Sequence, residues 1–173
     1  EEGIPGRDYL EKILQVAVDL PTVPASVLTK QVLAAINDVV TNVEMQGPFH
    51  EDAWPDAFME VIRPLIRNMR DVRRYAAAIH GTLRNLVGQV ALVDVLAAEA
   101  VRVFLPDVFQ QMHACAEALT TPSGLGHGHR DDDARLKHQV DRLIQLAGDR
   151  NDVVRAMVQR LFFAAQRHVG GSH

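Results

Sequence analysis

The stretch LVDVLAAEAVRVF, residues 92–104, decides the fold. Its apolar side chains would lie on almost every side of a helix, and a helix that is apolar all round is normally buried on all sides. We therefore predict that this stretch is the central helix of a helical bundle. Its first residues, LVDV, also resemble the acidic end of a nucleotide-binding strand, but the apolar pattern continues for the length of a helix. Asp94 is accordingly interpreted as a surface aspartate of that helix.

The helical period of about 3.6 residues continues through most of the chain on either side. Ser26 is a candidate N-cap for a helix after Pro24, and Pro55 lies where the first turn of a helix tolerates proline. Further helices are predicted at about 26–42, 52–67, 69–88, 106–119, 131–146 and 149–168. The exception is LQVAVDL, residues 14–20, whose alternation of apolar and polar residues predicts an extended stretch. The fold class is thus all-α, a multi-helix bundle of about six helices with an extended N-terminal arm.

Composition narrows the classes of function. The chain has 173 residues, is 47% hydrophobic and carries a formal net charge of −4, so it can bury one sizeable core. Its lone cysteine, Cys115, excludes an internal disulfide framework and is interpreted as a small buried residue in a protein of a reducing compartment. No apolar run reaches the length of about 18 residues that predicts a membrane span.

Three histidines, a pair and a single one, could be taken for metal ligands or catalytic residues. His127 and His129 precede the acidic run 131–133, but metal sites need fixed geometry, and this glycine-containing stretch is interpreted as a solvated loop. No Cys/His spacing for structural zinc occurs, and His80 is expected at the surface. We therefore predict no metal site and no catalytic residue in this chain.

The charged stretch RNMRDVRRYAAAI, residues 67–79, holds the candidate site. Asn68 is a plausible N-cap for the helix that follows. One apolar stripe runs along that helix, formed by Val72, Ala76, Ile79, Leu83 and Leu86. The opposite face carries Arg70, Arg73, Arg74 and Arg84 together with Ala77 and Gly81. The pattern therefore predicts that these arginines are presented to the outside of the bundle.

Three interpretations of the arginine face remain open at this point. It could be a solvated face paired with nearby acids such as Asp71 and Glu60. It could bind nucleic acid, although the chain is net acidic and has few aromatic residues for base stacking. It could also contact a phosphate held by a nucleotide site elsewhere in the protein, because guanidinium groups stabilise phosphoryl oxygens. The chain has no Gly-Lys pair, so it has no phosphate-binding P-loop of its own.

Four segments resemble, in order, segments of the KAP family of P-loop NTPases. They are YLEKILQVAVDLP at 9–21, RDVRRY at 70–75, VDVLAAEAVRVFLPDVF at 93–109, and RLFF with VGGSH within 160–173. The resemblance implies that the chain is the helical portion that follows the Walker A and Walker B motifs. It divides the chain into an arm leaving the NTPase core (1–24), a helical lid bundle (25–119), a loop (120–130) and a C-terminal helical pair (131–173).

The resemblance also implies residues that sense nucleotide phosphate. In related ATPases a helical lid covers the nucleotide, and an arginine on it senses the γ-phosphate. Arg70 matches the first arginine of the family's PRDVKR helix, Arg73 the lysine position and Arg74 the second arginine. Met69 replaces the family's proline and Ala77 its asparagine, so the start of the helix and a polar group near the site differ from the family pattern.

The implied function is a lid that closes on ATP and couples its hydrolysis to conformational change. ATP and Mg²⁺ are the expected cofactors of the full-length protein, and its NTPase core is the expected partner. The chain alone lacks Walker A and should be inactive. The family's proteins include bacterial phage-exclusion factors. The lone cysteine fits a cytoplasmic setting, the net negative charge predicts no direct contact with nucleic acid, and a homo-oligomer stays open. The alternative is a non-enzymatic helical interaction module whose arginine face docks an acidic partner.

Overall fold

The computed structural model describes residues 22–43, 48–86, 89–120 and 130–162, with the side chains of 130–133 left aside. Over these ranges the chain is all-α and contains no strand, which confirms the predicted fold class. The helices are α1 (Ala25–Thr41), α2 (Trp54–Asp56), α3 (Arg63–Leu65), α4 (Met69–Asn85), α5 (Leu92–Phe104), α6 (Pro106–Ala114), α7 (Ala116–Thr120), α8 (Arg130–Leu146) and α9 (Asn151–Leu161). A π-helical segment (Ala57–Ile62) joins α2 to α3, and a 3-10 turn (Gly148–Arg150) precedes α9.

Helix α5 is the central helix, as its sequence predicts. It packs against α4, α6 and the π segment, and it has smaller contacts with α3 and α9. Its buried residues are Leu92, Val93, Val95, Leu96, Ala97, Glu99, Ala100, Val101 and Val103. One cluster of buried apolar side chains includes residues from Leu28 on α1 to Val158 on α9, so these helices share a single hydrophobic core.

Helix α4 buries the predicted apolar stripe between α1 and α5. Val72, Ile79 and Leu83 are buried, whereas Ala76 and Leu86 are half-buried. The sequence prediction missed Tyr75, which is only 1% exposed. Its hydroxyl donates a 2.8 Å hydrogen bond to the Leu96 carbonyl oxygen of α5.

One predicted helix start and one predicted continuous helix are wrong. Ser26 is not an N-cap, because α1 begins at Ala25 and the cap position is Pro24. The fixed φ of Pro24, −57°, suits a helix start, and its carbonyl accepts the first helical hydrogen bond, from Leu28 N–H at 3.0 Å. The helix predicted over 106–119 is divided at Cys115, which is buried as expected. The two parts, α6 and α7, both pack against α8.

The helix predicted over 52–67 is shorter and partly π-helical. Pro55 lies in the first turn of α2, as predicted. Pro64 explains the π segment, because a proline ring in a regular α-helix clashes with the carbonyl four residues earlier. The Arg63 N–H instead bonds to the Phe58 carbonyl, five residues back, and the widened turn accommodates the ring.

Several predictions fall on residues that the structure does not describe. The extended arm over 14–20 lies outside the described residues, and so do His127 and His129 and the side chains of 131–133. Within the described part of the chain, no helix is long and apolar enough to cross a membrane.

Asp94 is not the simple surface residue that the sequence predicts. It lies in the first turn of α5 and is half-buried. Burial raises the pKa of its carboxyl above the ordinary value of 3.8, and the nearby His50 charge opposes that rise. The folded protein therefore holds the Asp94 proton more tightly than the unfolded chain does.

We expect Asp94→Asn to stabilise the fold increasingly as pH rises from about 4 to 7. A carboxyl with a raised pKa stabilises the folded state while it is protonated, and that contribution is lost as pH rises through the folded pKa. Asparagine does not titrate, so the gain over wild type should grow with pH and stay below about 1 kcal/mol at this half-exposed site. Urea unfolding at several pH values measures it. Asp107→Asn, at an exposed position in the first turn of α6, is the matched control.

Candidate functional site

The arginine face begins at a helix start that two side chains fix. Asn68 has extended backbone dihedrals and its Oδ1 accepts a 3.0 Å hydrogen bond from Asp71 N–H. Asp71 Oδ2 in turn accepts a 2.9 Å bond from Arg67 N–H. This reciprocal arrangement confirms Asn68 as the predicted N-cap and sets Met69 as the first helical residue, although the family's proline is absent there.

Arg70 and Arg73 lie on the exposed face of α4. Both side chains are exposed, and neither forms a hydrogen bond or ion pair with any residue in the described ranges. Arg84 and His80 are exposed further along the same helix, as predicted. The outward presentation of these residues follows from the buried stripe, because a helix with one side in the core points its opposite side at solvent.

Arg74 differs from its two neighbours because its guanidinium is already engaged. Its Nη2 donates a 2.9 Å hydrogen bond to the Val103 carbonyl oxygen, near the C-terminus of α5. The guanidinium carbon also lies 5.6 Å from the centre of the Phe104 ring, within the range of a cation–π contact. Arg74 therefore ties α4 to the end of α5 while Arg70 and Arg73 remain available.

The acids that could have neutralised the arginine face are used elsewhere. Glu60 accepts both a 3.0 Å bond from Nε and a 3.0 Å bond from Nη2 of Arg160, which also pairs with Asp56 at 2.9 Å. Asp71 accepts from the backbone of Arg67, as described above. The pairing of Asp71 and Glu60 with the arginines of α4, which one of the three interpretations requires, is therefore not found among the described residues.

Behind the arginine face lies a buried polar contact that the sequence did not reveal. Glu99 of α5 is 4% exposed, and its two carboxylate oxygens accept hydrogen bonds from Arg102, the one from Nε being 2.8 Å long. Burial, together with the Glu99 charge, raises the pKa of the Tyr75 hydroxyl well above its ordinary value. Tyr75 therefore stays neutral and donates to Leu96. Its position three residues after Val72 and four before Ile79 is the only signal that could have placed it in the core.

Side chains that could bind a metal ion do not come together in the described ranges. No group of three or more histidine, cysteine or acidic side chains there is arranged to hold a metal ion. The arrangement on α4 supplies positive charge and guanidinium donors, which suit carboxylate or phosphate oxygens.

Comparison with known proteins finds a match to one protein family. The model of the KAP family P-loop domain matches residues 1–86, about half of the chain. The match includes the segments 9–21 and 70–75 of the resemblance and ends before 93–109 and 160–173. No curated protein and no solved structure matches the chain.

We expect Arg74→Ala to lower the free energy of unfolding by about 1–2 kcal/mol. The substitution removes one hydrogen bond to a backbone carbonyl and one cation–π contact. Arg70→Ala, which removes the same charge from the same helix without losing a contact, should change stability by less than about 0.5 kcal/mol. Urea unfolding of both variants measures the difference. Equal effects of the two substitutions would contradict the structural role of Arg74.

Proposed function

This chain belongs to the KAP family of P-loop NTPases over residues 1–86, and on that basis we propose that it forms a helical lid of such an enzyme. The lid closes on ATP held by the NTPase core and couples ATP hydrolysis to a conformational change. The observation that carries this proposal is the pair Arg70 and Arg73, exposed on one helix and without a partner in the described ranges. Both lie within the residues that match the family.

The chemistry of the proposed contact follows from the charge of the arginines. Arg70, Arg73 and Arg74 lie within about one turn of α4, and like charges at this spacing repel one another weakly. A phosphate would relieve that repulsion and accept hydrogen bonds from the planar guanidinium groups. Arginine at a transferring phosphoryl group stabilises the charge that develops on its oxygens. Arg74 keeps further N–H donors beyond the one bonded to Val103.

ATP and Mg²⁺ enter this proposal as groups held by the NTPase core. The guanidinium groups of α4 fit the oxygens of a nucleotide phosphate, but the chain has no P-loop to cradle one. Bound Mg²⁺ would neutralise phosphate charge in the core, and the residues of α4 would add to that neutralisation. As the family resemblance implies, we place the protein in the bacterial cytoplasm in the setting of phage exclusion, with the NTPase core as the partner of this chain.

We expect Arg70→Ala in the full-length protein to lower kcat for ATP hydrolysis while leaving the fold intact. An arginine finger is worth on the order of 10³-fold or more, and a sensing arginine should be worth less, roughly 10- to 100-fold. Steady-state hydrolysis measures the loss, and circular dichroism checks the fold. Arg84→Ala is the matched control, because it removes one exposed arginine from the far end of the same helix.

Wild-type turnover in Arg70→Ala would argue against the proposal, above all if Arg73→Ala and Arg74→Ala also hydrolysed ATP at the wild-type rate. That result would leave the arginine face as a solvated surface or as a docking surface for an acidic partner. Weaker binding of a separate acidic protein by the same variants would then favour the interaction module.

We also expect that the purified chain of 173 residues does not hydrolyse ATP. Cradling of the phosphates needs the backbone N–H groups of a P-loop, which the sequence lacks. A coupled phosphate-release assay on the purified chain tests this, with the full-length protein as the positive control. Turnover that a substitution within this chain abolishes would overturn the assignment.

A further inference from the structure

A polar cavity lies beside the arginine face and is distinct from it. It has a volume of about 320 Å³ and opens between the start of α4, the junction of α5 with α6, and the 3-10 turn before α9. Its polar lining consists of Arg67, Asn68, Asp71 and Arg150, and apolar side chains around Phe104 complete the wall. The volume is at the lower end of that of small-ligand pockets. It is large enough for a small anion such as phosphate.

The two arginines of the cavity are 83 positions apart in the chain and differ in their hydrogen bonds. Arg150 is half-buried and anchored by one 3.0 Å hydrogen bond from Nη1 to the Pro64 carbonyl oxygen. Its Nε and Nη2 donors have no partner in the described ranges, and neither does the guanidinium of Arg67 or the side-chain nitrogen of Asn68. The cavity thus offers two cations and several unused donors, which is the composition of an anion site.

The carboxylate of Asp71 belongs to the same lining and would discriminate between anions. Its Oδ2 accepts from Arg67 N–H, whereas its Oδ1 has no partner in the described part of the chain. A carboxylate oxygen repels a fully deprotonated anion but accepts a hydrogen bond from an anion that still carries a proton. Inorganic phosphate carries a proton at neutral pH, and sulfate does not.

We propose that this cavity binds inorganic phosphate. Arg67 and Arg150 are its cationic ligands, and Asp71 accepts a hydrogen bond from the protonated phosphate oxygen. The terminal phosphate of a nucleotide is less suitable, because it is largely deprotonated at neutral pH and would bring a second negative charge close to the Asp71 carboxylate. The inference does not depend on the NTPase core, since every ligand belongs to this chain.

The test is titration calorimetry of the purified chain with sodium phosphate, sodium sulfate and ATP at constant ionic strength and pH 7. We expect saturable binding of phosphate and at least severalfold weaker binding of sulfate and ATP. Arg67→Ala should weaken phosphate binding about tenfold, because it removes a charge-assisted donor. Arg84→Ala, which removes the same charge outside the cavity, should have no effect.

Asp71→Asn tests the selectivity itself. The amide oxygen of asparagine can still accept from Arg67 N–H, so the helix start should survive, and the variant should bind sulfate nearly as well as phosphate. Asp107→Asn, the control for the lost negative charge, should leave the ratio unchanged. In these titrations the proposal would be overturned by no saturable phosphate binding, by equal weakening in Arg67→Ala and Arg84→Ala, or by a preference for phosphate over sulfate that Asp71→Asn leaves intact.

Arg150→Ala gives a second line of evidence for the location of the site. This substitution also removes the bond to Pro64, so its binding result counts only if urea unfolding shows that the variant remains folded. Backbone amide shifts on phosphate addition provide the location without any substitution. Shifts at residues 67, 68, 71, 104, 105 and 150 support the cavity, and shifts confined to Arg70, Arg73 and Arg84 would overturn the proposal by assigning the phosphate to the exposed face.

Discussion

Burial of one stripe of α4 between α1 and α5 is the constraint on which the arginine face depends. The stripe contains Val72, Tyr75, Ile79 and Leu83, each no more than 4% exposed. Full burial of such a side chain contributes about 1.5–3 kcal/mol, whereas repulsion between like charges on a helix surface costs only about 0.2–0.5 kcal/mol per pair. The apolar stripe therefore fixes the rotation of α4, and Arg70 and Arg73 face solvent as a consequence.

The sequence predicts most of the fold because the helical period is strong in α4 and α5. The limits of α5 agree with the prediction, because the all-round apolar pattern and the helix both run from Leu92 to Phe104. The features that the sequence could not predict depend on contacts between residues that are distant in the chain. The sequence around Glu99 does not indicate that this residue is buried. The sequence around Tyr75 does not indicate that its hydroxyl bonds to the Leu96 carbonyl. The π segment could have been anticipated from Pro64, but a shorter helix would have satisfied the same restriction.

The arginines show the same limit at the candidate site. The sequence places Arg70, Arg73 and Arg74 on one face, and it treats them alike. In the fold, Arg74 bonds to a carbonyl 29 residues away, whereas its neighbours do not. Arg63 makes a comparable clamp, with bonds to Thr29 Oγ1, to the Ile66 carbonyl and to the Ala25 carbonyl. Whether an arginine is a clamp or an available ligand depends on an acceptor that only the tertiary structure brings near it.

These clamps also determine which parts of the bundle must move together. Tyr75 and Arg74 bond to the Leu96 and Val103 carbonyls, which are seven residues, or about two turns, apart along α5. Two contacts at that separation resist sliding and rotation of α4 against α5, so a displacement of the arginine helix carries the central helix with it. The chain before α4 is extended at Ile66, and Arg63 and Arg150 hold the carbonyls of Ile66 and Pro64 on that side. Because α4 also packs against α1, and α5 packs against the π segment and α3, α4 cannot turn about this connection alone, and a displacement of the arginine helix involves the whole bundle.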